Sequence, residues 1–217
     1  MNPFLRQGGK NWYTRSLVPK QRVYGEKLIH EDGVDWREWN PFRSKLAAGL
    51  CSGLKDLTIA PGQTVLYLGS AEGTTVSHVS DLVGEEGVVV GVDISPQAMR
   101  SFTRLTESRS NILPLLADAN HPEELAKELG DFSADVIIQD VAQKNQADIF
   151  LKNWKVFAHS ASQGFLIIKS RSIDFSMDPS RVVAKELVTI KKHASVEQVV
   201  DLGNFERSHF LLHVKSK

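Results

Sequence analysis

Cysteine is nearly absent. Cys51 stands alone among 217 residues, which excludes an internal disulfide framework and any zinc site built from several cysteines. In the apolar pattern around it, Cys51 is expected to be a small core residue. No run of about 18 apolar residues occurs, so no transmembrane helix is expected. The first residues, MNPFLRQGGKNWYTRS, lack the apolar centre of a signal peptide. A cytoplasmic protein is the expectation. An excess of charge is absent too, with 26 basic and 26 acidic side chains; a stand-alone nucleic-acid binder ordinarily carries a positive excess. The balance averages unlike regions. Residues 1–22 hold Arg6, Lys10, Arg15, Lys20 and Arg22 and no acid, whereas residues 118–135 hold six acids against Lys127 alone. A chain so balanced is expected to handle nucleic acid only with help from partners.

Glycine is missing where it would be most informative. The stretch YLGSAEGTT, residues 67–75, follows an apolar run and precedes a helix-compatible one, as a nucleotide-binding turn does. A dinucleotide fingerprint needs three glycines, G-x-G-x-x-G, so that backbone can close on a pyrophosphate. Here only Gly69 and Gly73 are present, and Glu72 puts negative charge where phosphate would lie. The turn suits a ligand other than a dinucleotide.

What is there is regular. Residues 1–39 are aromatic and without helical period; RVYGEKLI and VDWREW flank the turn signal HEDG, which predicts a small β-rich unit containing a hairpin. At Asn40 the pattern changes. Asn40 reads as an N-cap and Pro41 as the first helical residue, with Phe42, Leu46, Leu50 and Leu54 on one helix face. From residue 64 onward the apolar runs TVLYLG, VVVGVDI, ILPLLAD, ADVIIQD and GFLIIKS alternate with helix-length stretches near 74–83, 96–108, 122–129 and 143–158. Continuous apolar runs of this length fit strands buried on both faces. Their alternation with helices predicts a mostly parallel, doubly wound sheet in a domain spanning 40–217. After a helix near 178–193, SVEQVVDLG and SHFLLHVK lie too close for a helical crossover, so the seven-stranded α/β sheet is expected to end in an antiparallel hairpin.

In open α/β sheets ligands bind beyond the carboxyl ends of the strands. Those ends carry Gly69, then Asp93 and Ile94, then Asp118 and Ala119, then Asp140 with Gln143 shortly after, then Lys169. Asp93 falls 24 residues after Gly69, near the spacing at which an acid takes ribose hydroxyls. Asp118 can accept from an adenine amino group, and Ala119 is small enough for the base to lie flat. The adenosine half of a dinucleotide site is present and the pyrophosphate half is missing. S-adenosyl-L-methionine meets that description. Thr74 and Thr75, at the helix start, can donate hydroxyl and backbone N–H to its carboxylate; Thr74 also reads as a plain N-cap.

The blocks WNPFRSKLAAGL, VLYLGSAEGTTVSHVSDLVG, GVDISPQAMR, DVAQ and IIKSRSID resemble the fibrillarin family essentially end to end, in the short form without a glycine- and arginine-rich tail that looks archaeal. That resemblance implies a Rossmann-like methyltransferase fold and S-adenosylmethionine-dependent ribose 2′-O-methylation of rRNA and possibly tRNA. It also implies partners: a box C/D guide RNA and target RNA, a Nop-family scaffold protein and a kink-turn-binding protein. Implied cofactor contacts are Gly69, Thr74, Thr75, Asp93, Ile94, Asp118, Ala119, Asp140 and Gln143, and the implied catalytic tetrad is Lys45, Asp140, Lys169 and His209. Two positions depart from the family pattern: Glu72, where a small or hydroxyl residue is more common, and Ile94, where an aromatic residue is usual. No spacing suggests a metal site, and His78 and His121 are read as structural. Transfer to a protein glutamine, an NAD-dependent oxidoreductase and a non-catalytic scaffold of an RNA complex are the alternatives.

Overall fold

The computed structural model describes residues 2–217. Four short strands come first, β1 (Leu5–Gly8), β2 (Asn11–Arg15), β3 (Leu28–Glu31) and β4 (Val34–Glu38), in an antiparallel sheet of order β1-β2-β4-β3. The expected hairpin is its β3–β4 half. Glu31 pairs with Val34, and Asp32 and Gly33, at φ of 51° and 75°, occupy the two left-handed positions of the connecting turn. The strands β1 and β2 are too short and too polar for alternation to reveal them.

The first helix starts later than its periodicity predicts. α1 spans Lys45–Cys51, with Ser44 as N-cap accepting from the Ala47 N–H at 3.5 Å. Asn40 instead closes a local turn, its Oδ1 accepting from the Phe42 N–H at 2.8 Å, a bond that competes with helix initiation. Phe42 therefore leaves the apolar stripe and is 66% exposed, while Leu46, Leu50 and Leu54 remain in the core. Cys51, at the helix end, is only partly buried, with its Sγ 3.8 Å from the Lys10 carbonyl oxygen. The short helix turns it toward the rim rather than into the core.

The remaining elements follow the predicted alternation: β5 (Thr64–Leu68), α2 (Thr74–Val83), β6 (Val88–Asp93), α3 (Pro96–Thr106), β7 (Ile112–Leu116), α4 (Pro122–Leu129), β8 (Ala134–Gln139), α5 (Gln146–Phe157), β9 (Ala158–Lys169), a short α6 (Ser170–Ile173), α7 (Pro179–Ile190), β10 (Ser195–Asp201) and β11 (His209–Lys215). They form one seven-stranded sheet of order β10-β11-β9-β8-β5-β6-β7. β5 to β9 are mutually parallel, and β11 runs antiparallel to both β9 and β10. One face packs Leu46, Val76, Val79 and Phe102 from α1, α2 and α3 against Val65 and Tyr67 of β5. The other packs Leu125, Phe150, Trp154 and Val183 from α4, α5 and α7 against Leu66 and Leu68. Adjacent residues of β5 thus enter opposite cores, which is why its sequence reads as a continuous apolar run.

Buried charge joins the N-terminal sheet to α2. Arg37 on β4, with a fully buried side chain, donates to Glu26 at 2.6 Å and to Asp81 on α2 at 2.8 Å. Asp81 also accepts from Arg109 at 2.7 Å and from the Thr14 hydroxyl at 2.8 Å. With the Thr14 proton committed to Asp81, the 2.7 Å contact between Thr14 Oγ1 and His78 Nδ1 requires Nδ1 to donate. His78 Nε2 is then the acceptor for the Tyr24 hydroxyl at 2.8 Å. His78 is a neutral, fully buried structural residue, stacked on Trp39 at 5.1 Å.

Candidate active site

Strand order reverses between β5 and β8: from β5 the sheet continues to β6 and β7 on one side, and from β8 to β9 on the other. Such a switch point opens a crevice beyond the carboxyl ends of its two strands. Gly69 leaves β5 there and Asp140 leaves β8. Gly69 has a φ of 82°, and a Cβ at this position would lie 2.9 Å from the Asp140 carbonyl oxygen. Only glycine combines that backbone conformation with so close an approach. Gly73, at φ 87°, is the N-cap of α2 and lies against Phe102 and Leu105, where a Cβ would come within 2.5 Å of either side chain. The two glycines of the turn are thus steric requirements, and Thr74 is the first residue of α2 rather than its cap.

Asp140 holds the centre. Its Oδ2 accepts from the Lys45 ammonium at 3.1 Å, and its backbone carbonyl accepts from the Lys169 ammonium at 2.8 Å. The same ammonium lies 2.8 Å from Oδ1 but is not aligned to donate to it, so Oδ1 has an ion-pair neighbour and no hydrogen bond. All three side chains are largely buried yet reach solvent. His209 joins through the sheet: it is the register partner of Lys169 across β11 and β9, which places both side chains on one face. Its Nδ1 lies 2.9 Å from the Arg207 carbonyl and 4.0 Å from Glu206. The four sequence-predicted catalytic residues, from α1, β8, β9 and β11, therefore gather at one end of the sheet.

Two clefts meet at Gly69, Ala71 and Asp140. One, of about 330 Å³, is lined by Asp93, Ile94, Asp118, Ala119, Gln143 and Lys169. The other, of about 480 Å³, is lined by Arg43, Lys45, Tyr67, Glu72, Thr74 and Thr75. Every residue expected to contact a cofactor lines one of them. Asp93 also shapes the turn, since its two oxygens accept from the Ala71 and Ser95 N–H groups at 2.8 and 2.9 Å. Each oxygen retains a free acceptor direction. The Asn120 backbone N–H, and then its side-chain amide, hold the Asp118 carboxyl below the ordinary range despite partial burial. Ile94 is 59% exposed at the cleft edge.

Several residues of the site are not marked by the sequence motifs. Asn120 ties Asp118 to Gln143, donating to the latter's Oε1 at 2.8 Å. Its position two residues beyond Asp118 is the spacing of an Asx turn and would have flagged it. Buried Gln146 accepts from the Lys169 N–H at 2.8 Å and donates to the Gln143 carbonyl at 2.7 Å, linking the ends of β8 and β9. Ser44 and Tyr67, beneath the second cleft, carry no spacing that marks them.

Charge divides along the crevice. Glu72, Asp93 and Asp118 line the clefts on the β5-β6-β7 side, whereas Lys45, Lys169 and exposed Arg43 line them on the side of α1 and β9.

The fibrillarin family model matches residues 4–217. A fibrillarin-like rRNA/tRNA 2′-O-methyltransferase of Thermococcus onnurineus is 46% identical over 211 residues, covering 96% of this chain and 91% of the relative. Among solved structures, Aeropyrum pernix fibrillarin with natively bound S-adenosyl-L-methionine superposes with a TM-score of 0.86 at 40% identity, over 94% of this chain and 88% of that one. A fibrillarin/Nop5p complex superposes with a TM-score of 0.89 at 34% identity, over 99% and 98%. With a match of this extent in both sequence and structure, the chain belongs to the fibrillarin family.

Proposed function

We propose that the chain transfers a methyl group from S-adenosyl-L-methionine to the ribose 2′-oxygen of RNA, within a ribonucleoprotein in which a guide RNA selects the nucleotide. The observation that carries this reading is the Asp140 carboxylate, held between the Lys45 and Lys169 ammonium groups where the two clefts meet. The residues fit the cofactor. Gly69 lines both clefts and lets the end of β5 lie against the Asp140 backbone, Asp93 and Asp118 offer acceptors to ribose hydroxyls and an adenine amino group, and Ala119 and Ile94 border the space for the base. The first N–H groups of α2, at Thr74 and Thr75, have no partner within the helix and suit a carboxylate. When bound, the cofactor supplies an electrophilic methyl group on a sulfonium.

The chain's residues do the rest. The Asp140 carboxylate, which reaches solvent between the two ammonium groups, accepts the proton of the ribose hydroxyl. Lys169 and Lys45 stabilise the negative charge that develops on the 2′-oxygen. His209, beside Lys169, completes the polar wall. The acidic side of the crevice suits a cationic cofactor, and the basic side suits a phosphate backbone. That division favours RNA over a protein glutamine as acceptor.

The solved fibrillarin/Nop5p complex, which this chain matches along nearly its full length, supports a Nop-family scaffold as partner. A kink-turn-binding protein and a box C/D guide complete the proposed particle. No helix among the described residues is long and apolar enough to cross a membrane, and we place the reaction in the cytoplasm. The test is labelled-methyl transfer to a guided RNA in the assembled particle, against the same RNA with a 2′-deoxy sugar at the target. Label on the ribose substrate alone is expected. Equal label on both would place the methyl elsewhere and overturn the reading.

A further inference from the structure

Thr75 lies at the start of α2, beside the cleft, and its hydroxyl is the obvious donor to a ligand there. The structure commits it elsewhere. Thr75 is 9% exposed, and its Oγ1 donates to Ser44 Oγ at 3.1 Å. That bond joins the start of α2 to the residue that caps α1.

Its acceptor is informative. Ser44 is the N-cap of α1, and the next residue, Lys45, puts its ammonium on Asp140. α1 is only seven residues long; Leu46 and Ala47 pack it into the core, and Ser44 fixes the turn that leads into it. Resting on the function proposed above, we infer that Thr75 and Ser44 are positioning residues: the bond between their hydroxyls sets the N-terminus of α1, and through it Lys45, against Asp140. Thr75 then serves the acceptor side of the reaction through its side chain, and contributes to cofactor binding only through backbone N–H. The bond also links the helix that begins at the cofactor cleft to the lysine that faces the reacting oxygen.

Thr75→Val removes the hydroxyl and keeps the shape. In the assembled particle it is expected to lower kcat by about tenfold to a hundredfold, the cost of a misplaced catalytic group, while the Kd for S-adenosylmethionine and the KM for RNA stay within about twofold. Thr75→Ser is expected to restore kcat. Ser44→Ala should reproduce the loss, and the double variant should be no slower than the slower single one, because both break the same hydrogen bond. A second readout needs no turnover: acylation of Lys45, followed by mass spectrometry on the free protein, should be faster in Thr75→Val than in wild type. If Thr75→Val raises the cofactor Kd and spares kcat, the hydroxyl belongs to the cofactor and the inference is overturned. Unchanged kcat and unchanged Lys45 reactivity overturn it too. A wild-type particle that transfers no methyl to ribose sinks the proposed reaction instead, while faster Lys45 acylation in the variant would still uphold the positioning.

Discussion

Asp140 shows how much a single residue's role depends on its neighbours. Two ammonium groups approach it, yet one of its oxygens is left without a hydrogen bond. Asp140→Asn preserves the shape and removes the proton acceptor. It is expected to lower kcat by about a hundredfold or more with cofactor binding retained; isothermal titration beside single-turnover methylation checks both halves. Gly69 is as constrained. Gly69→Ala must push a methyl group against the Asp140 carbonyl in a left-handed backbone conformation. It is expected to weaken cofactor binding and slow methylation together, and a variant that binds cofactor as tightly as wild type would contradict the close approach. The sequence already showed that Gly69 belongs to a turn and that Asp140 ends a strand. That the two touch could not be read, because it depends on β5 and β8 being neighbours although three helices and two strands separate them in the chain.

At the scale of elements, long apolar runs were legible and short polar ones were not. Each of the five apolar runs became a strand and the last two segments the expected antiparallel hairpin, although β9 begins at Ala158, six residues before its run; the central strands were plainest because they enter two cores at once. α1 was misplaced at its start, where Asn40 makes a turn with Phe42 that resembles an N-cap in sequence. Ser44 was the cap, and its hydroxyl partner lies 31 residues away on α2. The join between the N-terminal sheet and α2 was likewise invisible, since Arg37, Asp81 and Arg109 meet only on folding. Asp81 serves two arginines whose side chains are fully buried. Asp81→Asn leaves them under-compensated and is expected to cost about 3–5 kcal/mol, seen as a fall in the urea midpoint at pH 7. A loss below about 1 kcal/mol would mean that the network is solvated in solution.

For the whole molecule, acid and salt are the informative variables. Burial, and then nearby Arg37 and Arg109, hold His78 well below 6.5; burial, and then Lys215, lower His213 from the same value. Below 6.5 the unfolded chain binds protons at these sites that the folded chain refuses, so stability falls as pH drops from there, by up to about 1.4 kcal/mol per pH unit for each group. Glu26 extends the loss below its ordinary 4.5. Burial alone would raise its carboxyl, but Arg37 and the N–H groups of Tyr24 and Val23 hold it lower. Urea unfolding at about pH 7.5 and about pH 5 should give clearly different midpoints, and coincident curves would refute a neutral His78. The division of charge along the crevice makes a separate prediction. Arg43→Ala should raise the KM for RNA and reduce its salt dependence by about one unit of log–log slope, a larger effect than on cofactor affinity.

What the amino-acid sequence determined by itself is what depends on local order. The alternation of apolar runs with amphipathic stretches specifies a doubly wound sheet, and the residue closing each strand is known once the strand is known. The family motifs then name Lys45, Asp140, Lys169 and His209. What only the tertiary structure decided is which side chains meet and which of their atoms remain free. Thr75 was read as a donor to a ligand and proves to be bonded to Ser44; Cys51 was read as core and lies near the rim; Asp140 proves to keep one oxygen without a hydrogen bond. Each of these depends on distance and direction between residues far apart in the chain, and a hydroxyl or carboxylate has no fixed use until its partners are in place.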